Sequence, residues 1–222
     1  MSEYFFHLNE TVQAKDLVEQ HHYSHLWPSN IQLVGTWHEP GGLFGDSGPA
    51  IATCVFAYGA RGWTETVLDL VRLVRHPDHH PPLSGLVNTT ARWANRKGFN
   101  VLVSYADATH DHHGGIYQAS SWNYHGMRKP RVDALMVNGE RVPNRTIGHR
   151  FGTNSIRELR ERGYEIVECY DRGKHLYWKS FGKEGKRKAQ RLGLQHLPYP
   201  KPDLTDNGAE QPQPPQQGGT QQ

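Results

Sequence analysis

Apolar positions along the chain follow two repeating patterns, and the switches between them mark out the elements. Residues 31–38 (IQLVGTWH) and 50–58 (AIATCVFAY) are short apolar runs rich in β-branched and aromatic side chains, the composition of strands. The PGGLFGDSGP stretch between them supplies Gly and Pro for a reversal, so the two runs predict an antiparallel hairpin. Residues 66–74, TVLDLVRLV, predict a third strand, in which alternation puts Asp69 and Arg75 on one face and Arg72 on the other. HPDHHPP then breaks regular structure. From residue 83 the period changes. Leu83, Leu86, Val87, Thr90, Ala91 and Ala94 recur at helical spacing, and Gly98 ends the run. A continuous apolar strand over 100–105 follows directly, and a shorter helix over 11–20 precedes the hairpin.

The second half is punctuated by turn chemistry. Asn138-Gly139 predicts a two-residue hairpin turn within 132–142. Thr153-Asn154-Ser155 predicts the cap of a helix running to Arg162, where Gly163 stops it. Runs 164–170 and 175–181 predict a closing pair of strands around Asp171-Arg172-Gly173-Lys174, followed by a basic helix over 185–194. Residues 202–222 are polar and rich in Pro and Gln, a composition without a core that predicts a disordered tail. The expected organisation is one α+β domain over 1–201 and a tail over 202–222.

Composition narrows the class. Hydrophobic residues at 36% suit a globular protein, and no apolar run reaches the length that spans a bilayer, so no membrane role is expected. The first ten residues lack the layout of a secretory signal. Cys54 and Cys169, the only cysteines, each sit in an apolar run, which predicts core thiols of a reduced, cytoplasmic protein and excludes a cysteine-ligated zinc module. Net charge is only +3, yet 18 of the 25 Lys and Arg and 8 of the 22 Asp and Glu lie between Arg128 and Lys201. A basic half with interleaved aromatics is the footprint of a polyanion partner.

Candidate chemistry concentrates in residues 100–126, NVLVSYADATHDHHGGIYQASSWNYHG. A buried strand ends at Ser104, Tyr105 and Asp107, and the loop after it carries His110, Asp111, His112 and His113. Chemistry collects at the carboxyl ends of strands in open α/β sheets. Asp107 there suits either a proton acceptor or a turn former, and Tyr117 either a proton donor or a packed ring. The loop histidines are candidate metal ligands. His22 and Tyr23, in the HHYSH run past the first helix, offer a second wall if the fold brings them close. Trp122 and Tyr124 with Arg128, Lys129 and Arg131 suit a nucleic-acid path, aromatics for stacking and cations for phosphates. The junction at 82–86 opens a helix whose amides suit an anion. Neither the dinucleotide nor the P-loop glycine fingerprint stands there.

The segments LVRLVR (70–75), SYADATHDHHGGIYQASSWNYHG (104–126), HLYWKSFG (175–182) and LPYPK (197–201) resemble the phage Mom proteins. Within the family's Y-A-D-P-x-x-G-H-x-G-x-I-Y-Q-A pattern, Tyr105, Ala106, Asp107, His112, Gly114, Ile116, Tyr117, Gln118 and Ala119 match. Ala108 replaces the proline and Asp111 the glycine, while Asp69 replaces the glutamate of an E-L-x-R-L strand that keeps Arg72. The resemblance implies a GNAT-like N-acyltransferase fold, a mixed central sheet with helices on both faces. It also implies a transferase that adds a carbamoylmethyl (acetamido-type) group to the exocyclic amine of adenine in double-stranded phage DNA, shielding it from restriction in a bacterial host. Catalytic residues expected on this basis are Asp107, Tyr117, His22, Tyr23 and Arg72. Cofactor contacts are expected at Ser84, Gly85 and Leu73, and a metal contact at His112. Iron, and acyl-CoA or a related group donor, are the implied cofactors, although the Q/R-x-x-G-x-G/A diphosphate cradle is absent at 82–86. Two other readings stay open at this point: an acyl-CoA-dependent N-acetyltransferase for a small molecule or protein, and a non-catalytic DNA-binding phage protein. A homodimer is one assembly compatible with either.

Overall fold

The computed structural model describes residues 4–41, 47–59, 62–110 and 112–200, the side chains of His110 and Arg145 excepted. Asp111, the middle of the expected hairpin turn and the expected tail therefore lie outside the described residues, as does the His110 side chain.

The first half folds as its periodicity predicts. Strand β1 (Phe5–Leu8), helix α1 (Val12–His21), the hairpin β2 (Ile31–Pro40) and β3 (Ser47–Tyr58), β4 (Leu68–Arg75), α2 (Leu83–Arg96) and β5 (Val101–Asp107) follow one another. A one-turn 3-10 segment, Ala108–His110, leads to α3 (Gly115–Ala119) and β6 (Asn123–Arg128). Strand β10 (Lys174–Ser180) inserts between β5 and β6, so the main sheet runs β1-β2-β3-β4-β5-β10-β6. All its pairings are antiparallel except β4 with β5. Alternation along the strands divides their side chains between two layers. Leu33, Cys54, Phe56, Leu68, Leu70 and Leu102 pack under Leu86, Val87, Ala91 and Ala94 of α2. On the opposite face Val34 and Val55 meet Ala14 of α1, and Val101, Val103 and Trp178 meet Ala189 of α6 (Gly182–Arg191). Each fully buried Leu, Val or Phe in these layers contributes roughly 1.5–3 kcal/mol over an exposed one. The sheet is thus mixed, with helices on both faces. Hairpin, third strand, loop, helix and diverging strand follow in the order expected from the sequence.

Two sequence expectations change. A bulge in β4 lets Val55 pair with Arg72 and Phe56 with Leu70, so Val71 is the extra residue. Asp69 pairs with Val103, whereas Arg75 pairs with Ala52 of the α2-side core, so the two do not share a face. Nor do 164–170 and 175–181 pair with each other. β9 (Ile166–Tyr170) instead joins β7 (Val132–Val137) and β8 (Glu140–Pro143) in a separate sheet of order β8-β7-β9. That sheet, with α4 (Asn144–Phe151) and α5 (Ile156–Glu161), is inserted between β6 and β10 and encloses its own core of Leu135, Val142, Ile147 and Leu159. The Asn138-Gly139 turn does form, with φ of 49° and 82°, the positive values its type demands. Ser155 caps α5, its Oγ accepting from the Glu158 amide. A neck ties the insertion to the main sheet: the Asp171 amide donates to Arg131 O, and the Arg131 amide to Asp171 Oδ1, both at 2.9 Å.

Candidate active site at the parting of two strands

Strands β4 and β5 pair only at Leu68 with Leu102 and Asp69 with Val103. Beyond that they diverge, and a cavity of about 550 Å³ opens between them. Its floor is Leu70, Val71 and Leu73 of β4 with Tyr105 and Ala106 of β5; one wall is the 112–118 turn, and the other is His22 and Tyr23, with Pro200 at the rim. The loop after α1 therefore does reach the end of β5. Arg72 holds it there, donating from Nε to Leu26 O at 2.9 Å and from Nη1 to Val71 O at 2.7 Å. Arg72 is thus a strut between loop and strand and does not line the cavity, a correction to its expected catalytic place.

Inside the gap, Ser104 Oγ lies 2.8 Å from both Leu70 O and the Tyr117 hydroxyl. A serine has one proton, and a carbonyl can only accept. When Ser104 donates to Leu70 O, Tyr117 donates to Ser104. Burial pushes the Tyr117 phenol up, against the opposing pull of the Ser104 bond, so it stays protonated. Its ring is fixed between Trp122 and Tyr177 at centroid distances of 5.6 and 5.1 Å. The sequence places Ser104 at the strand's end but gives it no role, because a serine in a strand carries no signature until its partner 34 residues away is known.

His22, 6% exposed, accepts the Ser24 amide at Nδ1, so its neutral ring carries the proton on Nε2. The ring stacks on Tyr23 at 4.3 Å, and Tyr23 meets His112 edge-on at 5.8 Å. These three groups thus border the cavity together with Tyr117. The loop shape is set by Gly114, at φ 75°, where an added Cβ would lie 2.2 Å from the Tyr177 ring. Tyr177 donates to His113 O at 2.7 Å, and Gln118 Nε2 donates to the Tyr177 oxygen at 3.2 Å.

Several expected residues take other parts. Asp107 is absent from the cavity lining. Its Oδ1 accepts the Thr109 amide at 3.0 Å, forming the turn, and its Oδ2 meets Lys174 Nζ at 3.0 Å. Burial alone would raise its carboxyl, but the Lys174 and Thr109 bonds outweigh it and hold it below the usual range. Such a carboxylate is a poor proton acceptor. The carboxyl with unusual chemistry is Asp69, 8% exposed, which burial lifts to about 7 against the pull of Arg72 and Lys174. Ser84 and Gly85 lie in the first turn of α2, outside the cavity, and Leu73 lines it. Trp122 and Tyr124 are buried at 0% and 8%, with the Tyr124 hydroxyl 2.9 Å from His175 Nδ1. Neither ring can stack on a base. Arg128, Lys129 and Arg131 are exposed, and Arg128 covers the Tyr105 ring, 5.5 Å from its centroid.

Among the described residues no group of three or more His, Cys, Asp and Glu converges as a metal site requires; Asp111 and the His110 side chain, next to His112, lie outside them. Past Asp69, β4 makes no further pairing with β5, and its Leu70, Val71 and Leu73 give the cavity an apolar side.

The model of the Mom protein family matches residues 3–201. No curated protein matches the sequence. Among solved structures, an acetyltransferase from Bacillus subtilis in complex with CoA is similar at 11% identity and a TM-score of 0.46, over 81% of this chain and 100% of that one. A probable acetyltransferase from Staphylococcus epidermidis shows 10% identity and a TM-score of 0.46 over the same shares. An IAA acetyltransferase from Bacillus cereus shows 10% and 0.44, again over 81% and 100%.

Proposed function

The chain belongs to the Mom protein family, and we propose from that premise that it is a DNA-modifying transferase acting on the exocyclic amine of adenine. The group transferred is of the carbamoylmethyl type. The observation that carries this reading is the cavity between β4 and β5, large enough for a base and bordered by His22, Tyr23, Ser104-bound Tyr117 and Gln118. An adenine reaches such a cavity only outside the base stack. The exposed face of Tyr23 is an accessible aromatic surface for it, in place of the buried Trp122 and Tyr124.

Forming the new N–C bond breaks the donor's bond to its leaving group and one N–H bond of the amine. Negative charge develops on the leaving group, and the amine proton, released as the bond forms, neutralises it on departure. Tyr117 is a neutral phenol, and the same 2.8 Å distances serve a second arrangement of its protons. Ser104 turns its O–H from Leu70 O to the Tyr117 oxygen, and Tyr117 turns its own toward the cavity. His22 borders the same space, with its Nδ1 turned to the Ser24 amide. Hydrogen bonds aimed at developing charge in a water-poor site are worth far more than in solution. Val71, Leu73 and Ala106 would hold the arm of an acyl-CoA-like donor; bound there, it supplies the transferable group. The glycine-poor start of α2 does not fit the diphosphate of CoA, which favours a related donor with a different head. The exposed Arg128, Lys129 and Arg131 suit the phosphates of DNA.

The reading is tested by hydrolysing DNA from cells that express the protein and weighing the nucleosides. A carbamoylmethyl-type deoxyadenosine supports it. Unmodified DNA, together with acetyl transfer to a small molecule or protein by the purified chain, would replace it with the N-acetyltransferase alternative.

A further inference from the structure

The hydrogen-bond chain across the cavity wall has a direction. His113 O can only accept, and the Tyr177 hydroxyl donates to it at 2.7 Å. The single Tyr177 proton is then spent, so its oxygen accepts, and Gln118 must turn its amide nitrogen toward it, at 3.2 Å. A glutamine amide is otherwise free to present either end. Here the relay orients it, and the carbonyl oxygen Oε1 is the end left for a ligand. One amide hydrogen is also left, since the alternative acceptor, His113 O, lies 3.5 Å away, at the limit of a useful bond. Gln118 lines the cavity, one residue from Tyr117.

We propose that Gln118 reads the target base, with Oε1 accepting one hydrogen of the exocyclic amine and Nε2 donating to the adjacent ring nitrogen N7. The proposal rests on the adenine-modifying reading above and assigns its base selectivity. A bidentate glutamine matches the donor-acceptor edge of adenine. Guanine would set O6 against Oε1, acceptor against acceptor. Thymine offers O4 and a methyl group, and cytosine has no acceptor beside its amine on that edge. Holding one amine hydrogen on Oε1 also leaves the other, the one replaced in the reaction, toward the open cavity. Without Gln118 the edge is unread; without the Tyr177 hydroxyl the amide can present either end, and the reading weakens.

Short single-stranded oligonucleotides containing one adenine among thymines, or one 7-deazaadenine in its place, separate this contact from general DNA binding. The purified full chain is titrated with each at fixed salt and followed by fluorescence anisotropy, for wild type, Gln118→Leu, Gln118→Glu and Tyr177→Phe. Wild type is expected to bind the adenine strand about tenfold more tightly than the 7-deaza strand, the scale of one good base contact. Gln118→Leu should bind both equally, at the weaker level. Gln118→Glu, which keeps shape but loses the donor, should also lose the preference, and Tyr177→Phe should retain part of it. If Gln118→Leu keeps the wild-type ratio, another group reads the base and the proposal fails. Wild type without any ratio, in cells that still accumulate modified deoxyadenosine, overturns the Gln118 assignment alone. No ratio and no modified nucleoside overturns the adenine reading with it.

Discussion

Tyr117 and Ser104 meet hydroxyl to hydroxyl at 2.8 Å in the gap where β4 and β5 part, and Ser104 is anchored from behind by Leu70 O. Tyr117→Phe keeps the ring between Trp122 and Tyr177 but removes the proton aimed at the leaving group. Product formation should fall by about two orders of magnitude, the usual contribution of a positioned proton donor. The melting temperature should stay within a few degrees of wild type. Ser104→Ala should cost less activity, because the phenol remains. A Tyr117→Phe protein with full activity would remove Tyr117 from the chemistry.

Asp107 separates a structural from a catalytic part. Asp107→Asn keeps an oxygen for the Thr109 amide and loses only the Lys174 bridge, whereas Asp107→Ala loses both. Stability should fall by about 1–3 kcal/mol for Ala and less for Asn, read as chemical denaturation midpoints. Asp107→Asn should keep most of its activity, since a carboxylate held below its ordinary range is not the proton acceptor. The bridge stabilises the fold above the carboxyl's unfolded value and is lost as pH falls through its lower folded value. The stability gap between wild type and Asp107→Asn should therefore close at low pH.

Asp69 gives the opposite slope. Its carboxyl is raised from 3.8 to about 7 in the fold, first by burial. Between those values the unfolded chain has lost the proton and the folded chain keeps it, so stability falls as pH rises through the window. Asp69→Asn removes that dependence. Relative to wild type it should gain on the order of 2 kcal/mol from pH 4 to pH 8, measured as the difference in unfolding free energy at each pH. Parallel curves for the two proteins would contradict burial as the cause.

Gly114 tests the cavity wall. An alanine there places Cβ against the Tyr177 ring at 2.2 Å and strains a φ of 75°, at a cost of roughly 1–3 kcal/mol. Gly115→Ala meets nothing within 4 Å and serves as its control. The first variant should lose stability and base preference together, and the second neither.

Local chemistry explains what could be read from the chain alone. The helix over α2 was legible because Leu86, Val87, Ala91 and Ala94 share one face, and the β7–β8 turn because Asn138-Gly139 tolerates positive φ. The insertion of β10 between β5 and β6 was not, since pairing of Tyr177 with Ser104 and Tyr124 leaves no mark in the sequence around any of them. The same limit governs the site. Tyr117 and the His22-Tyr23 wall were legible through the resemblance. Trp122 was misassigned because an aromatic residue among polar ones does not show whether it faces solvent; here it lies wholly buried against Tyr117. Asp107 looked catalytic because its partner, Lys174, is far away in sequence. Gln118 gained a reason for its orientation only from Tyr177, 59 residues on.

The most direct measurement is the mass of deoxyadenosine in DNA from cells expressing the wild-type chain beside cells expressing Tyr117→Phe. Expected is a deoxyadenosine heavier by a carbamoylmethyl-type substituent in the first culture, reduced to traces in the second, with the other nucleosides unchanged in both. Unmodified deoxyadenosine in the wild-type culture, or an added mass on another base, would contradict the assignment of this cavity to adenine.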